Sequence, residues 1–150
     1  MVITCTVYID TPLRKAVALF SDAGNLGKWQ EGFQSFTTVS GEPGKTGSVA
    51  KITFSNRGHA IELTETILIS ELPHEFKALY EHKHGSNTTT SSFTEVEPGK
   101  TRFDMSIEPV KTIGFFPRFM MWLMPGMIKK PTEEWLKNFK SLAETGTGIK

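Results

Sequence analysis

Between residues 33 and 108 the chain reads as strand after strand, and a single long amphipathic helix follows. Segments 33–40, 49–55, 60–70, 76–84, 87–96 and 101–108 are punctuated by Asn56-Arg57-Gly58, Leu72-Pro73-His74, Gly85-Ser86 and Pro98-Gly99, residues suited to tight turns. A curved antiparallel sheet built this way has one apolar face, and that face must be covered. The only long apolar partner left is the segment from Pro117 to about Glu144, where Trp135, Leu136, Phe139, Leu142 and Ala143 recur at helical spacing. A sheet wrapped around a helix follows from the order alone. Pro125-Gly126 and Pro131 are expected to kink or interrupt that helix, because proline lacks a donor and crowds the preceding turn.

The N-terminal part supplies a seventh strand and two short helices. Ile3, Cys5, Val7 and Ile9 alternate with Thr4, Thr6 and Tyr8, the period-2 pattern of a half-buried strand. Asp10-Thr11-Pro12 then reads as a helix start, with a capping side chain before a proline in the first turn. Leu13, Val17 and Phe20 give this helix an apolar side, Gly24 ends it, and residues 25–29 form a second short helix. The class is α+β: a seven-stranded curved antiparallel sheet, two short helices after strand 1 and a long C-terminal helix. With 150 residues this is one domain, expected over 1–145, with Gly146 and Gly148 leaving 146–150 as a frayed tail.

Charge narrows the range of functions. Lys and Arg number 17 against 16 Asp and Glu, a formal charge of +1, which argues against a dedicated nucleic-acid binder. The single cysteine, Cys5, excludes an intramolecular disulfide, and its place on the inward face of a strand suits an inert core thiol. The N-terminus lacks the basic start and long apolar run of a signal peptide. The most apolar stretch, 113–128, carries Arg118, is broken by Pro117 and Pro125, and is shorter than the ~20 residues of a spanning helix. A cytoplasmic protein with no stable membrane insertion is expected.

Several segments now resemble a known superfamily. Val7-Tyr8-Ile9-Asp10-Thr11-Pro12 with Ala16, Leu19, Phe20, Ser21 and Asp22 is similar to the entry strand and first helix of the START-like (SRPBCC) superfamily, which includes polyketide cyclase/dehydrase, Bet v 1-like and lipid-transfer proteins. Trp29 falls where these proteins often carry a tryptophan. Thr64-Glu65-Thr66 with Leu72-Pro73 resembles the long fourth strand and its turn, and Phe93-Thr94-Glu95-Val96 with Thr101-Arg102 the last hairpin. Met124-Pro125-Gly126-Met127, Lys129-Lys130 and Asn138-Phe139-Lys140 resemble the terminal helix of bacterial members. The resemblance implies the helix-grip fold over nearly the whole chain. It carries no shared catalytic motif, since members bind lipids, sterols or hormones, cyclise polyketides or assist chaperones.

Alternation assigns the inner face without reference to any family. Ile61, Leu63, Glu65, Ile67 and Ile69 share one face of segment 60–70, and Phe76, Ala78, Tyr80 and His82 share one face of 76–84. A two-residue Pro73-His74 turn places Glu65 opposite His82 and Ile67 opposite Tyr80. A Gly85-Ser86 turn pairs His82 with Thr89 and Tyr80 with Ser91, and an Arg57-Gly58 turn pairs Glu65 with Ala50. A three-residue Pro98-Gly99-Lys100 loop puts Phe103, Met105 and Ile107 inside. The polar band across the inner face is thus expected to be Glu65, His82 and Thr89, with Tyr80 and Ser91 one row along.

A carboxylate on an apolar face must pair, bind something or become neutral. Three readings stay open for Glu65 and His82: a pair that fixes strand register, a ligand contact, or an acid/base pair with Tyr80 as acid. His82 and His84 with Glu65 also have the composition of a zinc or non-haem iron site, but solvated histidines beside turns explain them as well. No metal and no cofactor is expected. Gly41-Glu42-Pro43-Gly44-Lys45-Thr46-Gly47 has the wrong spacing for a phosphate loop and precedes a strand. Arg102, Asp104 and Glu108 fall on the outward face.

The expected activity is binding of a small hydrophobic or amphipathic ligand between sheet and terminal helix. Phe54, Leu63, Ile67, Phe93, Met105, Met120 and Met124 are the expected walls, and Glu65, Tyr80, His82 and Ser91 the orienting polar groups. Alternatives are a cyclase/dehydratase- or lyase-like enzyme in the same cavity, or a chaperone-assisting or interaction module. Phe115, Phe116, Met121 and Trp122 exceed what one buried stripe needs, and the excess would face a cavity, a membrane surface or a homodimer partner.

Overall fold

The alternation of the first strand carries directly into structure: β1 (Ile3–Ile9) buries Ile3, Cys5 and Ile9, while Thr4, Thr6 and Tyr8 point to the other face. The computed structural model describes residues 2–56, 58–83, 85–112 and 126–149. After β1 come α1 (Leu13–Ser21), a 3-10 turn (Ala23–Asn25) and α2 (Leu26–Trp29). Strands β2 (Phe33–Ser40), β3 (Val49–Asn56), β4 (His59–Glu71), β5 (Glu75–His82), β6 (Gly85–Glu97) and β7 (Lys100–Thr112) follow, and α3 (Gly126–Thr145) closes the chain. The sheet order is β1-β7-β6-β5-β4-β3-β2, antiparallel throughout, so the first strand pairs with the last and the two short helices carry the chain from one edge to the other. This is the helix-grip architecture.

Thr11 is not the helix cap. Pro12 takes that position without a side-chain bond, while the buried Thr11 hydroxyl donates to the Ala143 carbonyl at 3.1 Å. Thr101 donates in turn to the Thr11 carbonyl at 2.8 Å, so the turn after β1 is tied to both β7 and α3. The amide of Asp10 reaches Glu144 Oε2 at 2.7 Å, and Lys140 bridges Glu144 and the Tyr8 carbonyl at 2.6 Å each. The far end of α3 is therefore locked to the end of β1.

Pro131 lies within α3 and the helix runs through it without interruption. Gly146 ends the helix in the left-handed region, at φ 75°, its amide bonded to the Leu142 carbonyl at 2.9 Å. The residues after it run back along α2, where the Ile149 amide donates to the Lys28 carbonyl at 2.9 Å. A Cβ on Gly148 would sit 2.6 Å from that same carbonyl oxygen, so this close approach requires glycine.

The packed core occupies one half of the molecule. Ile3, Cys5 and Ile9 of β1, Phe93 of β6, and Phe103 and Met105 of β7 meet Ala16, Trp29, Leu136, Phe139, Leu142 and Ala143. Aromatic rings fill its centre: Phe93 stacks on Phe103 at 4.4 Å between centroids, and Phe20 meets Trp29, Phe76, Phe93, Phe103 and Phe139 edge-on or tilted. Helix α3 packs chiefly on β1 and α2. Among the described residues no helix packs closely on the inner face of β3–β5, and that geometry makes room for a cavity.

Candidate functional site

A cavity of about 670 Å³ lies over that uncovered half, within the ~300–1,000 Å³ usual for small-molecule pockets. Its apolar walls come from facing elements: Phe54 and Ile52 on β3, Leu63 and Ile67 on β4, Met105 and Ile107 on β7, and Trp135 on α3. Phe54 and Trp135 stack with centroids 6.0 Å apart, joining sheet to helix at the cavity wall.

One row of the sheet brings Glu65, Tyr80 and Asn87 together, with His82, Thr89 and Ser91 lining the cavity from neighbouring rows. Ala50, Glu65, Tyr80, Asn87 and Pro109 are successive cross-strand partners from β3 to β7. Only the β3–β4 part of this row has the register expected from the turns, with Asn56 paired to His59 around Arg57-Gly58 and Glu65 opposite Ala50. Glu65 stands opposite Tyr80 rather than His82, and Ile67 opposite Ala78. Two displacements add to that result: the β4–β5 loop takes three residues, 72–74, and a bulge at Leu68 inserts one more. The bulge also turns Ile69 to the outer face beside Lys77, while Ser70 and Leu72 reach the cavity.

Between β5 and β6, Gly85 is already paired with His82 and so belongs to the strand, not the turn. Tyr80 consequently meets Asn87, Ala78 meets Thr89 and Phe76 meets Ser91. In the last hairpin the loop is Pro98-Gly99, with a compensating irregularity between Glu95 and Glu97, and Phe103 stands opposite Phe93. Phe103 and Met105 are buried and Ile107 lines the cavity, the side expected for all three.

The Tyr80 hydroxyl donates to Glu65 Oε2 at 2.6 Å, a short charge-assisted bond. Glu65 is only 7% exposed, and burial raises its carboxyl above the usual range against the opposing pull of the Tyr80 hydrogen bond. Burial, the neighbouring Glu65 charge and the hydrogen bond together hold the Tyr80 phenol well above its ordinary value, so its proton stays in place. The hydroxyl of Thr89 donates to Asn87 Oδ1 at 3.2 Å one row away. Among the described residues that line the cavity, the charged or titratable ones are Asp22, Glu65, Tyr80 and His82, with no lysine or arginine.

Glu65, Tyr80, His82, Phe54, Leu63, Ile67, Ser91 and Met105 all line the cavity. The expected cross-strand pairing of Glu65 with His82 does not form, because the register gives the carboxylate to Tyr80. Phe93 is not a wall: it is 3% exposed inside the aromatic core, between Phe20, Phe103 and Phe139. Met120 and Met124, with Phe115, Phe116, Met121, Trp122 and His84, lie outside the described residues. Among the described residues no three His, Cys, Asp or Glu side chains are grouped to hold a metal.

Sequence reasoning misses several lining residues. A Gly85-Ser86 turn hides Asn87, and Trp135 sits in an apolar helical stripe that reads as core. Phe20 and Trp29 are shared between core and cavity. The place of Phe20 on the apolar side of α1, near its end, is the available signal. Cys5 is a buried thiol raised chiefly by burial, and Arg102 is paired with Asp104 at 2.9 Å on the outer face.

A family model described as polyketide cyclase / dehydrase and lipid transport matches residues 2–144. No curated protein sequence matches the chain. Among solved structures, the Zhui aromatase/cyclase from a Streptomyces species superposes with a TM-score of 0.76 at 8% identity, covering 99% of each chain. TTHA0849 from Thermus thermophilus gives 0.75 at 17% identity, over 94% of this chain and 95% of that one. Ara h 8.0201 gives 0.72 at 14% identity, over 95% and 97%. At such identities the likeness speaks for the fold alone.

Proposed function

The chain belongs to the polyketide cyclase / dehydrase and lipid transport family, and from that premise we propose that it binds a small hydrophobic or amphipathic molecule in the cavity between the sheet and α3. The observation that carries this reading is the cavity of about 670 Å³, apolar on most of its wall and crossed by one polar row with a buried carboxylate. A chain selected only for packing would gain by closing such a space, since unfilled volume forfeits dispersion contacts and transfer free energy. Each methylene of a ligand taken from water into these walls contributes about 0.8 kcal/mol. No cofactor enters this reading.

An enzyme in the same cavity is favoured by one specific observation, the 2.6 Å Tyr80–Glu65 bond. A cyclase, dehydratase or lyase would use Glu65 as base with Tyr80 holding its carboxylate, and His82 on the same wall as a further proton carrier. Native mass spectrometry of the freshly purified protein tests the binding reading. The expected result is an added mass that leaves on denaturation, or that appears on incubation with an aliphatic alcohol. A chain that stays at its bare mass through both would count against it. The identified molecule then becomes the substrate candidate, and turnover lost in Glu65→Gln with binding retained would mark the enzyme.

A further inference from the structure

We infer that the cavity selects its ligand by the hydrogen-bonding sense of the polar head: it takes a neutral amphiphile whose head donates a hydrogen bond, an alcohol or phenol, and discriminates against heads that only accept. This inference rests on the binding reading above and specifies its chemistry.

The Glu65–Tyr80 pair has unused acceptor capacity. The Tyr80 proton is committed to Glu65 Oε2 at 2.6 Å, so the phenol oxygen presents lone pairs to any further partner. An ionised carboxylate is an acceptor only, with about four lone-pair sites on its two oxygens. Among the described residues Glu65 makes that one hydrogen bond and no ion pair, and its side chain lines the cavity. Next to Tyr80 in the row, Asn87 accepts the Thr89 hydroxyl on Oδ1, which leaves its amide N–H₂ as a donor rather than a further acceptor. The acceptor capacity is thus concentrated at the buried Glu65 and the Tyr80 oxygen, while donors such as Asn87 and Ser91 line the wall beside them.

A hydroxyl head placed there supplies the donor that Glu65 lacks. A ketone head sets acceptor against acceptor. A carboxylate head adds like-charge repulsion at a site where burial leaves Glu65 little water to screen it. One hydrogen bond to a charged group distinguishes partners by roughly tenfold or more in affinity.

The test uses three probes with matched chains, 1-decanol, 2-decanone and decanoate, each displacing the neutral fluorophore N-phenyl-1-naphthylamine at pH 7.5. The expected order is decanol tightest, decanone about tenfold weaker, and decanoate weaker than decanone. In Glu65→Gln the amide keeps its carbonyl toward Tyr80 and presents an N–H₂ donor, so the decanol preference should shrink to about threefold or reverse. Decanone or decanoate binding the unmodified protein as tightly as decanol overturns the inference while leaving the cavity as a ligand site. An unchanged order in a folded Glu65→Gln overturns the assignment to Glu65. Failure of all three probes and the fluorophore to bind overturns the binding reading itself.

Discussion

A carboxylate that has left water for an apolar wall must recover its lost hydration from neighbours, and Glu65 recovers part of it from the Tyr80 hydroxyl. The remainder appears as a raised carboxyl pKa, caused first by burial. The sign of the linkage follows. The folded chain holds the Glu65 proton at pH values where the unfolded chain has released it, so stability falls as pH rises above the ordinary carboxyl value of 4.5 and levels off above the folded one. Glu65→Gln removes this dependence. Its melting temperature should exceed that of the unmodified protein by a few degrees at pH 8, with the gap narrowing as pH is lowered toward 4.5. A variant that melts lower at pH 8 would show that the charged Glu65 contributes to the fold, and a gap independent of pH would show that its effect does not run through its ionisation.

At the level of elements, alternation is a sufficient guide to faces and an insufficient one to partners. Side chains repeat every two residues along a strand, so a register error of an even number leaves every face assignment intact. The β4–β5 pairing near the site differs by two from the expected one and β5–β6 by four, which is why Tyr80, His82 and Ser91 all line the cavity although their partners differ. The bulge at Leu68 is an odd shift, and there Ile69 leaves the face that alternation assigns it. Nothing in the composition of Thr66-Ile67-Leu68-Ile69 announces a bulge, since each residue suits a strand. Phe93 departs from expectation for another reason: the inner face is continuous from core to cavity, and the positions of α1 and α3, through Phe20 and Phe139, decide which part is filled.

Helix α3 is tied to the end of β1 by polar contacts of Lys140 and Glu144. Glu144 accepts from the Asp10 amide and pairs with Lys140, and these contacts hold its carboxyl below the usual 4.5. A depressed value stabilises the fold above the ordinary carboxyl pKa and is lost as pH falls through the folded one. Glu144→Gln should lower the melting temperature slightly at neutral pH, since solvent screens this carboxylate, and should change it little in acid below the folded pKa. Thermal melts at two pH values check both halves of this expectation. An equal loss at both would place the role of Glu144 in packing rather than charge.

Viewed as a whole, the molecule divides its inner sheet face between two jobs. The β1, β7 and β6 side is filled by α1, α2 and α3 with a dense aromatic core, and the β3–β5 side borders a cavity of about 670 Å³. Among the described residues no helix is long and apolar enough to cross a membrane. The filled half offsets the cost of the hollow half, because most of the packed core stands apart from the cavity walls, although Phe20, Trp29, Met105 and Trp135 serve both. The measurement that tests this division most directly is a fluorescence titration of N-phenyl-1-naphthylamine into the unmodified protein and into a Leu63→Trp/Ile107→Trp variant, which narrows the cavity from β4 and β7. Saturable binding of one equivalent in the micromolar range, lost in the variant while its circular dichroism is unchanged, is the result predicted. No saturable binding to the unmodified protein, or equal binding to a folded variant, would contradict the account.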